Sequence, residues 1–316
     1  MTLSDNEILA YLKGRDDKEL FALADGVREK NVGDTVHIRG ILEFSNKCAR
    51  NCAYCGLRAV NNTVTRYSMT KEEIEKASDE AYVSGYKTIV LQSGEYIPYP
   101  IDMLAEIVSY IAEKGMTVTL SIGEISKDKI KLLYDAGARR YLIKHETANE
   151  ELYNRLHKDS SFEKRMRAIY DVKDIGYEVG GGFLIGLPET DERDILNDLR
   201  LVGSVPLDMC GIGTFIPCGN TPLENEKKGS VILTKRAVAL TRLVLERANI
   251  PVTTSLRSID DGTLFNYGAN VIMTKLTPER YRNMYEIYPL DVVSKGIKEE
   301  RAEIESLIAR EGRKPL

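Results

Sequence analysis

The sequence predicts an α/β protein: a (β/α)8 barrel of the TIM type with short N-terminal and C-terminal helical extensions. Three observations carry that expectation. Eight short apolar or β-branched runs between residues 36 and 274 alternate with longer stretches of helical period. The runs read as apolar enough to be buried on both faces, as parallel strands beneath crossover helices must be. The 316 residues suit one α/β barrel, a fold that routinely passes ~250 residues as a single domain.

Taken in order, the runs place strands at 36–44, 88–92, 117–122, 140–145, 178–185, 208–215, 252–256 and 269–274. Helical patterns lie between them. One covers 70–84, with Glu72, Glu73 and Glu75 in its first turns, where carboxylates complement the helix dipole. Another covers 100–114 and stops before Gly115; helix-end glycines recur at Gly85, Gly137 and Gly176. Residues 1–33 read as two helices ahead of the barrel, 34–293 as the barrel, and 294–316 as a closing helix rich in Lys, Arg and Glu. In such a barrel the active residues belong at the C-terminal ends of the strands.

Composition narrows the partners. With 44 basic against 48 acidic residues, the net charge of −4 leaves no broad basic surface for a phosphate backbone, so nucleic acid is not an expected partner. The apolar stretches stop far short of the ~20 residues that span a bilayer. Residues 1–13 contain acids and no apolar run after a positive start, so they do not read as a secretory signal. A cytoplasmic protein is expected. Of five cysteines, Cys48, Cys52 and Cys55 fall within eight residues, while Cys210 and Cys218 are remote. In a reducing compartment such a cluster points to metal or redox chemistry.

The triplet forms a C-x3-C-x2-C spacing, Cys48-Ala-Arg-Asn-Cys52-Ala-Tyr54-Cys55, directly after the first strand. Three thiolates can each bind one iron of a cubane cluster, leaving the fourth iron without a protein ligand. An open position is what a catalytic metal site needs. A closed zinc site with a fourth ligand from His37, His145 or His157 is the alternative, and a disulfide with a spare thiol is a further one. Other strand ends are also polar. Gln92-Ser93-Gly94-Glu95 closes the second, and Lys144-His145-Glu146-Thr147 places charge at the end of the fourth, where an apolar residue would otherwise be buried. Arg165 follows on the next helix, where a guanidinium can fork onto a carboxylate.

The cysteine motif, with aromatic Tyr54 before its third cysteine, resembles the signature of the radical S-adenosylmethionine superfamily. The resemblance implies a 4Fe-4S cluster on Cys48, Cys52 and Cys55, with S-adenosyl-L-methionine chelated at the open iron and cleaved to a 5′-deoxyadenosyl radical. Gln92, Ser93, Gly94 and Glu95 are similar to the family's glycine–glutamate motif, Glu95 accepting from the methionine ammonium. Gly182-Phe-Leu-Ile-Gly186-Leu-Pro-Glu189 is similar to its adenine-contacting G-x-I-x-G-x-x-E pattern, with Leu184 where Ile is usual. Glu146 is implied in ribose or methionine contacts, Arg165 at the methionine carboxylate, and Tyr54 and Met273 in cofactor binding, Met273 near the adenine.

Within the superfamily the resemblance extends over nearly the whole chain to the HydE branch, the radical maturases of FeFe hydrogenase. It is carried by stretches such as Val32-Gly-Asp-Thr-Val-His-Ile-Arg39, Glu43-Phe-Ser-Asn46 and Gly211-Ile-Gly-Thr-Phe-Ile-Pro217. It implies a small cysteine-containing iron complex as substrate, held by Lys144, Thr253 and Thr254 at an anion-friendly far end of the barrel. An electron donor such as a flavodoxin or ferredoxin, and other hydrogenase maturases, are the implied partners. A radical mutase or methylornithine-synthase-like enzyme acting on an amino acid is the second expectation, and a non-enzymatic iron–sulfur or zinc protein the third. Three departures from the branch stand out: no cysteine follows Cys218, Cys218 stands where a His is usual, and Lys144 where an Arg is usual.

Overall fold

The computed structural model describes residues 3–95, 100–260, 262–289 and 295–316. Its strands are β1 (Thr35–Ser45), β2 (Thr88–Ser93), β3 (Thr117–Ser121), β4 (Arg140–Leu142), β5 (Glu178–Gly181), β6 (Leu184–Ile185), β7 (Met209–Cys210), β8 (Gly213–Thr214), β9 (Pro251–Val252), β10 (Val271–Lys275) and β11 (Lys314–Pro315). All pairings between these strands are parallel, and the main sheet runs β7-β5-β4-β3-β2-β1-β10-β9. Its two ends meet: Cys210 N donates to Asn249 O at 3.0 Å, and Asn249 N to Asp208 O at 2.9 Å. The result is a nearly closed eight-stranded α/β barrel.

Helices form where the sequence caps them. Thr70 and Glu73 make a capping box at the start of helix Lys71–Val83, satisfying backbone donors that the first turn leaves open. The leading residues fold as helices Asp5–Leu12 and Asp17–Val32, and the closing helix is Ile297–Arg310. Beyond it the chain adds β11 alongside β1, an element with no signal in the sequence.

Two departures from the expected strands have local causes. The fifth and sixth are each split in two, β5 from β6 at Gly182, whose φ of +141° leaves extended geometry, and β7 from β8. The seventh ends after Val252, because Thr253 turns the chain and caps helix Thr254–Ile259.

The strands are also not apolar on both faces. Along β1, Ile38, Leu42 and Phe44 join the core shared with the surrounding helices, while Arg39, Ile41 and Glu43 face the interior. Gln92, Thr119, Ser121 and Lys275 do the same on their strands, following the two-residue alternation of a pleated strand. Many barrels fill this space with branched apolar side chains. Here polar side chains share the inward face with apolar ones around a cavity of about 570 Å³, within the range of small-molecule sites.

Candidate active site at the strand ends

The fourteen residues singled out from the sequence come together: Cys48, Cys52, Cys55, Tyr54, Gln92, Ser93, Gly94, Glu95, Lys144, Glu146, Arg165, Thr253, Thr254 and Met273 all line this cavity. The three thiols stand in the loop after β1. Burial pushes all three up, Cys55 to about 12. As protonated thiols they are inert; a metal that binds them must displace protons.

Gly94 lets the end of β2 lie against this loop. A Cβ there would stand 2.7 Å from Cys48 Cβ, a separation at which something must move. Among the described residues, no three His, Cys, Asp or Glu side chains are placed to share a single metal ion. A cubane makes a different demand, since each thiolate binds its own iron corner. Three thiols from one loop lining a single cavity fit that group.

None of the three histidines joins the cysteines as a zinc ligand. His145 Nε2 lies 3.5 Å from buried Asp198 Oδ1. His157 Nδ1 stands 3.0 Å from Tyr153 O and its Nε2 2.8 Å from Tyr54 Oη. Its pKa falls to about 4, chiefly through burial, so the ring is neutral. A carbonyl can only accept, so Nδ1 carries the proton and Tyr54 donates to Nε2.

Glu95 and Arg165 meet in a four-membered ion network that the sequence reading only half anticipated. Arg165 Nη2 lies 3.1 Å from Glu95 Oε2 and its Nε 2.6 Å from Glu124 Oε1. Arg50 closes the ring, with Nε 2.5 Å from Glu95 Oε1 and Nη2 3.2 Å from Glu124 Oε2. Arg165 Nη1 also donates to Lys144 O at 2.9 Å. Burial raises Glu95 against the pull of Arg165 and Arg50. Arg50 sits inside the cysteine motif and Glu124 at the end of β3, so their positions were the available signal.

Deeper in, Lys144 Nζ lies 2.9 Å from Glu146 Oε2, and this cation holds Glu146 below its ordinary range even against burial. Glu146 adopts φ +64°, a left-handed conformation costly for a residue with a side chain. Lys144 is therefore not a free cation. Arg39, which the sequence did not single out, is a cavity cation with no carboxylate partner among the described residues. It is 3% exposed, gives Nη1 to Met209 Sδ at 2.9 Å, and leaves Nε and Nη2 without partners. Burial pulls its pKa down to about 10. Thr119 Oγ1 is likewise buried and unpartnered. Cys218 does not line the cavity; its Sγ would stand 2.7 Å from a Cβ on Gly56, behind the cluster loop.

A parallel barrel with three open thiols at the first strand's end and a polar interior defines a class of enzyme, and residues 42–202 match the Radical SAM superfamily. The chain belongs to that superfamily and is an enzyme. It is 48% identical over 273 residues to the FeFe hydrogenase maturase subunit HydE of Thermotoga maritima, covering 85% of this chain and 78% of that one. It is 28% identical over 316 residues to the 3-methylornithine synthase of Methanosarcina acetivorans, covering 98% and 88%. The crystal structure of methylornithine synthase PylB superposes with a TM-score of 0.87 at 24% identity, over 100% of this chain and 95% of that one, a likeness of fold. No helix among the described residues is long and apolar enough to cross a membrane.

Proposed function

We propose that this chain is a HydE-like radical S-adenosylmethionine enzyme of FeFe-hydrogenase maturation, cytoplasmic, acting on a small cysteine-containing iron complex. The observation that supports it is the 48% identity with HydE over 85% of the chain. In this reading Cys48, Cys52 and Cys55 hold a 4Fe-4S cluster, and S-adenosyl-L-methionine lies against it. Together these groups supply a 5′-deoxyadenosyl radical when bound.

The chain's own residues orient the cofactor and substrate. The methionine end of the cofactor is a zwitterion, and the Glu95–Arg165 link is its electrostatic mirror: the ammonium takes Glu95 and the carboxylate takes Arg165. Gln92, Ser93 and Gly94 edge the same wall, Glu146 is the partner of the ribose or the methionine, and Tyr54 and Met273 flank the remaining cofactor surface. Lys144, Thr253 and Thr254 bound the substrate space, with Arg39 and Thr119 as further donors.

The charge of the lining suits a ligand with an anionic group. Seven Lys and Arg line the cavity against four Glu. Glu43 faces Lys275, Glu95 faces Arg50 and Arg165, Glu146 faces Lys144, and Glu300 accepts from Lys275 N. Arg39 has open donors for an anionic ligand. The mutase alternative draws on the 28% identity with 3-methylornithine synthase. A flavodoxin or ferredoxin is the proposed electron donor, and other hydrogenase maturases the proposed partners. The domain division is residues 1–33, 34–293 and 294–316.

Complementation tests the reading. Supplied to an FeFe-hydrogenase expression system lacking HydE, the chain restores hydrogenase activity, and Cys52→Ala abolishes it. Efficient deoxyadenosine formation from a lysine-like amino acid with no restored hydrogenase would replace this reading with the mutase.

A further inference from the structure

The loop that carries the cysteines is fastened from behind by the end of one short helix, Glu150–Leu156. Leu156 O accepts from Ala53 N at 2.9 Å, and the next residue, His157, accepts from Tyr54 Oη at 2.8 Å. Two consecutive residues of the helix end thus hold two consecutive residues of the loop. Rings reinforce the join: Tyr153 stacks on His157 with centroids 4.1 Å apart, and His157 meets Tyr54 edge to face at 5.4 Å. Ala53 and Tyr54 pack on a small second core of Leu152, Leu156, Leu187 and Phe215.

We propose that His157 is the positioning residue for Tyr54, orienting its ring for the bound S-adenosylmethionine. Tyr54 and His157 both line the cavity, so the phenol can be aimed at a ligand only while its hydroxyl is anchored. A buried hydroxyl without an acceptor would turn in search of one. The Nδ1–H bond to Tyr153 O leaves the Nε2 lone pair toward Tyr54, so the acceptor is preset by the helix end rather than by the ligand. His157 is tied to the cysteine loop through Tyr54, at 2.8 Å, and it acts through that residue. The proposal rests on the cofactor reading above, and its test separates the two.

Nitrogen-15 NMR of the cluster-free full chain reads the tautomer directly, because the protein has three histidines and His157→Gln identifies the third. The expected result is an Nδ1–H ring whose Nε2 resonance shifts in Tyr54→Phe; an Nε2–H ring, or no shift, overturns the proposal whatever the chain binds. In the reconstituted protein, His157→Phe should keep its iron and weaken S-adenosylmethionine binding roughly tenfold, the effect of one lost buried hydrogen bond. His157→Gln, whose amide can donate to Tyr153 O and accept from Tyr54, should restore affinity to within about threefold. The cofactor-induced change in the cluster's electron paramagnetic resonance spectrum should follow the same order. Tyr54→Phe and His157→Phe combined should cost no more than either alone. Iron loss in His157→Phe, failure of Gln to rescue, or additive losses would each overturn it.

Discussion

Arg165 and Glu95 meet at 3.1 Å although 70 residues separate them, and each is tied to a second partner of the same ring, Arg165 to Glu124 and Glu95 to Arg50. The ring presets a donor and an acceptor at the spacing of one zwitterion. Glu95→Ala removes the acceptor and leaves two cations facing a single carboxylate. Loss of a charge-assisted contact of ~1.5–3 kcal/mol corresponds to roughly tenfold to hundredfold weaker cofactor binding. Glu124→Gln keeps the shape while dropping one charge, so a smaller loss, about threefold, is expected. Calorimetry on reconstituted protein measures both; an unchanged Glu95→Ala affinity would remove Glu95 from the site.

Iron content separates the five cysteines. Reconstituted protein should hold about four irons per chain, and Ala at Cys48, Cys52 or Cys55 should abolish the reduced-cluster signal. Cys210→Ala and Cys218→Ala should leave it intact, because Cys210 is fully buried within β7 and Cys218 stands behind the loop. Gly94→Ala introduces a Cβ 2.7 Å from Cys48 Cβ, and the loop must shift to admit it. That variant should fold yet retain iron poorly. Full retention would show the close approach to be incidental.

His157 also makes a pH prediction for the cluster-free chain. Its folded pKa lies near 4, below the ordinary 6.5, so protonation favours the unfolded chain. Its contribution is complete above pH ~6.5 and is lost as the pH falls toward ~4, at most about 3 kcal/mol for a gap of that size. His157→Gln has no such group, so its stability should decline less steeply over this window. Parallel denaturant titrations at pH 7, 5.5 and 4.5 read the difference; identical slopes would mean the ring is charged in the folded chain.

The barrel was legible because strand and helix periods differ and glycine marks the helix ends, and the cysteine loop because three thiols in eight residues have few other uses. What escaped is informative. Arg50 and Glu124 look like ordinary surface charges until β1, β2 and β3 place them around Glu95. The fifth and sixth strands read as continuous because Phe183 and Ile212 are apolar whether the pairing is continuous or broken. The polar interior was hidden because alternate residues such as Arg39 and Thr119 sit among β-branched neighbours, and a one-dimensional pattern does not say whether the inward face encloses packing or space. Lys144 reads from the sequence as a substrate-holding cation, and the sequence did not show that Glu146, two residues on and at positive φ, already faces it.

Arg39 supplies the last prediction, because its contribution to stability and its contribution to function oppose each other. It is 3% exposed, contacts a methionine sulfur, and leaves two nitrogens unpartnered. A buried charge without a counter-ion costs folding free energy, and apolar replacement of buried ionic groups is often neutral or stabilising by ~1–4 kcal/mol. Arg39→Met should therefore raise the melting temperature of the cluster-free chain. In the reconstituted enzyme the same change should leave S-adenosylmethionine affinity within about twofold, since the methionine end is held by Glu95 and Arg165, while substrate-dependent deoxyadenosine formation falls at least tenfold, as expected for a lost charged contact. A gain in stability with unchanged turnover would mean that the guanidinium is not a substrate contact. A fall in stability would mean that its counter-charge lies within the protein, with Glu178, the carboxylate whose field reaches it, as the group to replace next.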